Sequence, residues 1–157
     1  MSKYRIYEIA ISLCLVAFII GLFAAQSAGT DKTAPEIAAE VIKVYDVSEM
    51  TEAGANDIIN TFGISRDTMA SSKYYCNKNI MNVSEMLIIT LNDKNQADDV
   101  AALIEKRVAE QIDTFKSYAP DQVALLENSV IKTKGNAVFY CTGENAKEAY
   151  EAFKKAL

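Results

Sequence analysis

"EMLIITLNDKNQADDVAALIEKRVAEQI", residues 85–112, decides the fold. Its first seven residues, Glu85 to Leu91, form a nearly continuous apolar run, which predicts a central strand covered on both faces. Asn92-Asp93 breaks the run, and the pattern then changes period. Val100, Ile104, Val108 and Ile112 recur every four residues, with Leu103 and Phe115 widening the stripe, so a long amphipathic helix covers Asn95 to Tyr118. Asp98 and Asp99 suit its positive amino-terminal end and Lys116 the other.

Working outward, Ala119-Pro120 ends that helix and Asp121 to Glu127 adds a further turn or two. "SVIKTKGNAVFYCTG", residues 129–143, reads as two short strands, about 129–133 and 136–142, joined at Lys134-Gly135, where glycine supplies the positive φ of a tight hairpin. Ala146, Ala149, Tyr150, Phe153 and Leu157 then share one face of a final helix. Upstream, "SKYYCNKN", residues 72–79, has the aromatic but polar character of an edge strand. Thr33-Ala34-Pro35-Glu36 is a capping-box pattern opening a helix that carries Ile37, Val41, Val44 and Tyr45 on one face. Ser48 to Ala55 breaks this, and Asn56 to Phe62 is a short helix stopped by Gly63. The order α-α-β-β-α-β-β-α predicts an α+β domain with a four-stranded antiparallel sheet and helices on one face, compatible with a ferredoxin-like, split-βαβ topology.

The beginning of the chain is different. Lys3 and Arg5 precede Ile9 to Ala25, which carries no charge. Seventeen helical residues reach about 25 Å, and extension to Thr30 gives about 33 Å, against a hydrocarbon core of about 30 Å. Three fates compete. Lipidation at Cys14 is disfavoured because Leu13, not a small residue, precedes it. Cleavage as a secretory signal fits Ala25-Gln26-Ser27 or Ser27-Ala28-Gly29. Retention as a single-span anchor is preferred, because the run exceeds the 7–15 apolar residues of a usual signal. With the positive residues inside, residues 31–157 form an extracytoplasmic domain behind the 1–30 signal or anchor segment. Ala17, Gly21 and Ala25 add a small-xxx-small face, a weak signal for helix association.

Composition narrows the function. The formal charge is −5, and because Lys3, Arg5 and Glu8 set residues 1–30 at +1, the remainder carries −6. Such a domain repels phosphate backbones, so nucleic acid is not an expected partner. The chain has no histidine, which removes imidazole bases, His-activated nucleophiles and His metal ligands, and no tryptophan to form a sugar platform.

Motif by motif, little catalytic chemistry emerges. Ser129 and Lys132 have Ser-x-x-Lys spacing, but in a predicted strand they point to opposite faces. Asp93-Lys94-Asn95 starts like a calcium loop, yet Asp98 stands where glycine belongs and Ile104 where the bidentate carboxylate belongs. Asn82-Val83-Ser84 matches a glycosylation acceptor pattern. No catalytic, cofactor-binding or metal-binding set is assigned and no cofactor is expected. Cys76 and Cys141 fall in predicted strands of an exported domain, so a disulfide between them is weighed against two separate buried thiols.

The strand "MLIITL", the long helix, "FKSYAPDQVALLENSVIKTKGNAVFY" and the closing helix resemble a domain of unknown function. Such domains occur in exported, membrane-tethered or lipoprotein-like proteins of Firmicutes, particularly clostridia. The matching residues are Phe115, Tyr118, Pro120 and Gln122, with Gly135 and Asn136 in the hairpin, and the resemblance spans roughly residues 36–157. It implies a Gram-positive envelope location and no known activity. The expectation is a membrane-anchored binding or scaffold domain whose partner is a protein or a cell-wall polymer. The alternatives are an envelope hydrolase using carboxylates and a secreted domain freed by signal cleavage.

Overall fold

The computed structural model describes residues 29–157, together with Ile11, Ser12, Cys14 and Val16. Most of the 9–25 segment lies outside these residues, and among those described no helix is long and apolar enough to cross a membrane.

The domain is α+β: a five-stranded, wholly antiparallel sheet in the order β1-β2-β3-β5-β4, with helices on both faces. The elements are α1 (Ala34–Val41), β1 (Met50–Ala53), α2 (Ala55–Phe62), β2 (Met69–Asn77), β3 (Glu85–Leu91), α3 (Ala97–Phe115), α4 (Pro120–Glu127), β4 (Val130–Lys134), β5 (Ala137–Thr142) and α5 (Ala146–Ala156). All seven residues of β3 are buried, as its unbroken apolar run requires.

Alternation along the strands divides the core. Tyr74, Leu87 and Tyr140 lie side by side across β2, β3 and β5 and face α2, α3 and α4 through Ile58, Phe62, Val100, Ile104 and Leu126. One residue along, Met86 and Cys141 turn to the other side, where Ile37, Val41, Ala149 and Phe153 of α1 and α5 meet them. Each fully buried aliphatic side chain contributes about 1.5–3 kcal/mol, so an acid at Ile88 would unfold the sheet from its middle.

Three expectations are corrected. The fifth strand, β1, is four residues long with an exposed centre, so it carries no readable alternation; it is held by backbone pairing of Met50–Ala53 with β2. Helices cover both faces because a strand apolar on both sides must be covered twice. The split βαβ unit is present, with β5 inserted between β3 and β4, but α5 crosses to the face opposite α3, so the domain is not ferredoxin-like. In addition, α1 stops at Val41; Val44 is exposed, and Tyr45 is buried from the turn that follows.

Candidate functional site

The most polar feature of the interior grows from the first residue of β3. Glu85 is 4% exposed and lies on the α3 face. Tyr74 of β2 and Tyr140 of β5 flank it and donate their hydroxyls to its carboxylate, Tyr74 to Oε2 at 2.7 Å and Tyr140 to Oε1 at 2.8 Å. Arg107, three residues beyond Ile104 and so on the inner side of α3, donates from Nη1 to Oε1 at 2.5 Å and to Gln111 Oε1 at 2.6 Å. Its guanidinium lies 4.9 Å from the Phe62 ring centre, and that ring meets Tyr74 and Tyr140 edge-on. Burial pushes both phenols well above their ordinary range, and the Glu85 charge pushes them further, so both remain protonated donors. Both carboxylate oxygens are engaged, and among the described residues no buried side-chain polar atom lacks a partner. The cluster fastens α3 to the sheet and reaches solvent through Arg107, which lines a shallow depression of about 330 Å³ with Thr61, Gln111 and Phe115.

On the other face, α1 and α5 run antiparallel and form an open groove of about 880 Å³. Ala39, Ala152 and Ala156 make a low floor, Val44 closes one end, and the walls carry Glu36, Glu40, Lys43, Glu148, Glu151 and Lys155. Lys43 pairs with Glu40 at 2.6 Å, and Glu36 is held below the usual carboxylate range by the Thr33 backbone N–H and hydroxyl.

A third concavity, about 330 Å³, sits where β5 leaves the sheet, among Tyr45, Asn82, Ser84, Gln122, Gly143 and Asn145. The Tyr45 hydroxyl donates to the Thr142 carbonyl at 2.6 Å. Among the described residues no three acidic or cysteine side chains gather to hold a metal ion.

The residues singled out from sequence are scattered through this frame. Phe115 is buried and Tyr118, ring centres 5.4 Å away, is exposed. Pro120 opens α4, and Gln122 accepts the Val83 N–H at 3.0 Å, tying the β2–β3 loop to that helix. Gly135 has φ 60°, the left-handed turn the hairpin needs. Asn136 grips Thr30, accepting its N–H at 2.7 Å and donating to its carbonyl at 3.3 Å. The Cys76–Cys141 pairing is not formed: both thiols are free. They lie on opposite faces of strands separated by β3, about 9–10 Å apart by strand spacing, beyond disulfide reach. Glu85 and Arg107 escaped the sequence reading, though an acid heading an apolar run and an arginine within an apolar stripe both signal a buried pair.

No curated relative and no solved structure matches the chain. A family model described as "Domain of unknown function (DUF4358)" matches residues 43–143, the span that contains the whole sheet and the Glu85 cluster but neither α1 nor α5. That match covers well over half of the 157 residues, and the chain belongs to this family.

Proposed function

We propose that the chain is a membrane-tethered extracytoplasmic module that binds a protein partner through the groove between α1 and α5. The observation that carries this reading is the groove: it offers an open concavity of about 880 Å³, its alanine floor lets another backbone approach closely, and its walls offer both charge signs. A two-helix groove with small residues at its base suits an amphipathic helix laid along it. The tether rests on the uncharged Ile9–Ala25 run with Lys3 and Arg5 before it.

The test uses the full chain in its native membrane, with a photo-crosslinker at Val44. A single protein should be captured and should disappear when Ala39→Trp and Ala152→Trp fill the groove. Capture that survives both substitutions rules the groove out, and capture of glycan in place of protein transfers the site to a cell-wall polymer.

A further inference from the structure

The two hydrogen bonds between Thr30 and Asn136 fix where the chain joins the domain: beside the β4–β5 hairpin, at one end of the sheet. Two residues on, the Lys32 ammonium donates to the Ala156 carbonyl in the last turn of α5. The joining point is therefore bracketed by the hairpin tip and by the carboxyl-terminal end of that helix. Lys32, Lys134, Lys154 and Lys155 all belong to these segments, and Lys132 stands exposed on the outer strand beside them. Three acids share the α1–α5 face with these five lysines, and Asp67, Asp93, Asp98 and Asp99 stand at the same end around the starts of β2 and α3. Glu151 pairs with Lys154 at 2.7 Å, Glu36 caps Thr33, and Asp31 adjoins Lys32. Asp93 follows β3, and Asp98 and Asp99 open α3 on the other face of the sheet.

The far end carries Lys43, Lys78, Lys116 and Lys147, but more acids than these. Asp46 and Glu144 line its concavity, Asp121 opens α4, Glu127 closes it, and Glu148 lies in the first turn of α5. A domain carrying −6 thus holds its excess of acids at the far end, while lysines outnumber acids on the α1–α5 face where the chain joins it.

We propose that this lysine-bearing end rests on anionic phospholipid headgroups. The inference depends on the tether reading above. From Ala25, the last residue of the apolar run, to Thr30 is five residues, at most about 18 Å when extended. The Asn136 grip keeps that short leash at the lysine end, close enough for the lysines to meet a charged surface whose field decays over about 8 Å. A lysine near an anionic leaflet gains about fivefold in local association. Held this way, the α1–α5 groove stands along the membrane normal, because both helices, in opposite directions, span the distance between the joining end and the far end. A partner helix rising from the same membrane would lie in it lengthwise.

Hydrogen exchange on the full chain reconstituted in phosphatidylcholine vesicles, with and without phosphatidylglycerol, tests this. Segments 30–36, 132–137 and 152–157 should exchange several-fold more slowly in the anionic vesicles only. The effect should vanish in Lys132→Glu/Lys155→Glu, both exposed positions, while β3 amides stay protected and report an intact fold. Equal rates in both vesicle types, or slowing that survives the charge reversal, overturn the lipid-facing surface. Extraction of the chain by alkaline carbonate overturns the tether itself; resistance to carbonate without lipid-dependent slowing sinks only the orientation.

Discussion

Arg107 and Glu85 form a buried ion pair whose acceptor oxygen is shared: Glu85 Oε1 takes the guanidinium at 2.5 Å and the Tyr140 hydroxyl at 2.8 Å. The pair joins the long helix to the strand at the middle of the sheet, and both members are screened from water, Arg107 less completely than Glu85. Removing one partner of such a pair costs more than removing the pair, because the survivor keeps its desolvation cost without its attraction.

Arg107→Ala is therefore expected to lower unfolding stability by about 3–5 kcal/mol. Replacing Arg107 with Met, Glu85 with Leu and both tyrosines with Phe should cost less than Arg107→Ala alone, because no polar group is then stranded. Urea unfolding of the two variants checks this. Equal losses would show that the network acts through packing and not through charge.

Alkaline pH attacks the buried phenols, two of which belong to this cluster. Tyr45, Tyr74 and Tyr140 are buried, and burial first, with nearby charges second, raises each phenol above its ordinary value near 10. The folded state holds these protons where the unfolded chain has released them. Their contribution is thus fully present below about pH 10 and declines above it, by about 1.4 kcal/mol per pH unit for each phenol. Denaturant midpoints measured across that range should fall, and Tyr74→Phe should make the decline shallower by one proton. A midpoint that is flat above pH 10 contradicts the burial argument.

Much of this frame is legible from residue order, and the losses have physical causes. The Glu85–Leu91 run and the four-residue recurrence from Val100 placed the central strand and long helix because each carries an unambiguous period. The same run, apolar on both sides, demands two helical layers, which helices on one face alone do not supply. β1 was illegible because Met50–Ala53 has no inward side beyond its ends. Asn136 was readable as a turn residue, but its grip on Thr30 spans 106 positions and leaves no local pattern. The cysteine pairing failed on register: Cys76 aligns with Glu85 and Cys141 with Met86, one residue apart on β3 and hence on opposite faces.

That register makes the thiols chemically distinct. Cys141 is fully buried, and burial pushes its thiol up to about 12. Cys76 is partly exposed and raised less, by burial and then by the Glu85 charge. Alkylation of the native chain at neutral pH should modify Cys76 slowly and leave Cys141 untouched until denaturant is added. Peptide mass mapping with and without reductant should give the same free-thiol count. A count that rises on reduction would restore the disulfide.

Gly143 offers a sharper test of packing around the far-end concavity. Its φ of 135° lies where side chains are strained, and a Cβ placed there would sit 2.9 Å from the Tyr45 hydroxyl oxygen and 3.3 Å from Ser84 Oγ. Gly143→Ala should cost about 2 kcal/mol or more, combining backbone strain with displacement of Tyr45 from its 2.6 Å bond to the Thr142 carbonyl. Tyr45→Phe alone should cost about 1–2 kcal/mol for that bond. Because the phenylalanine removes the oxygen that the new methyl would strike, the double variant should lose less than the two single losses added, by about 1 kcal/mol. Thermal or urea unfolding of the four proteins closes the cycle. Strict additivity would mean that the alanine is accommodated without touching Tyr45, and that the glycine is required by its φ alone.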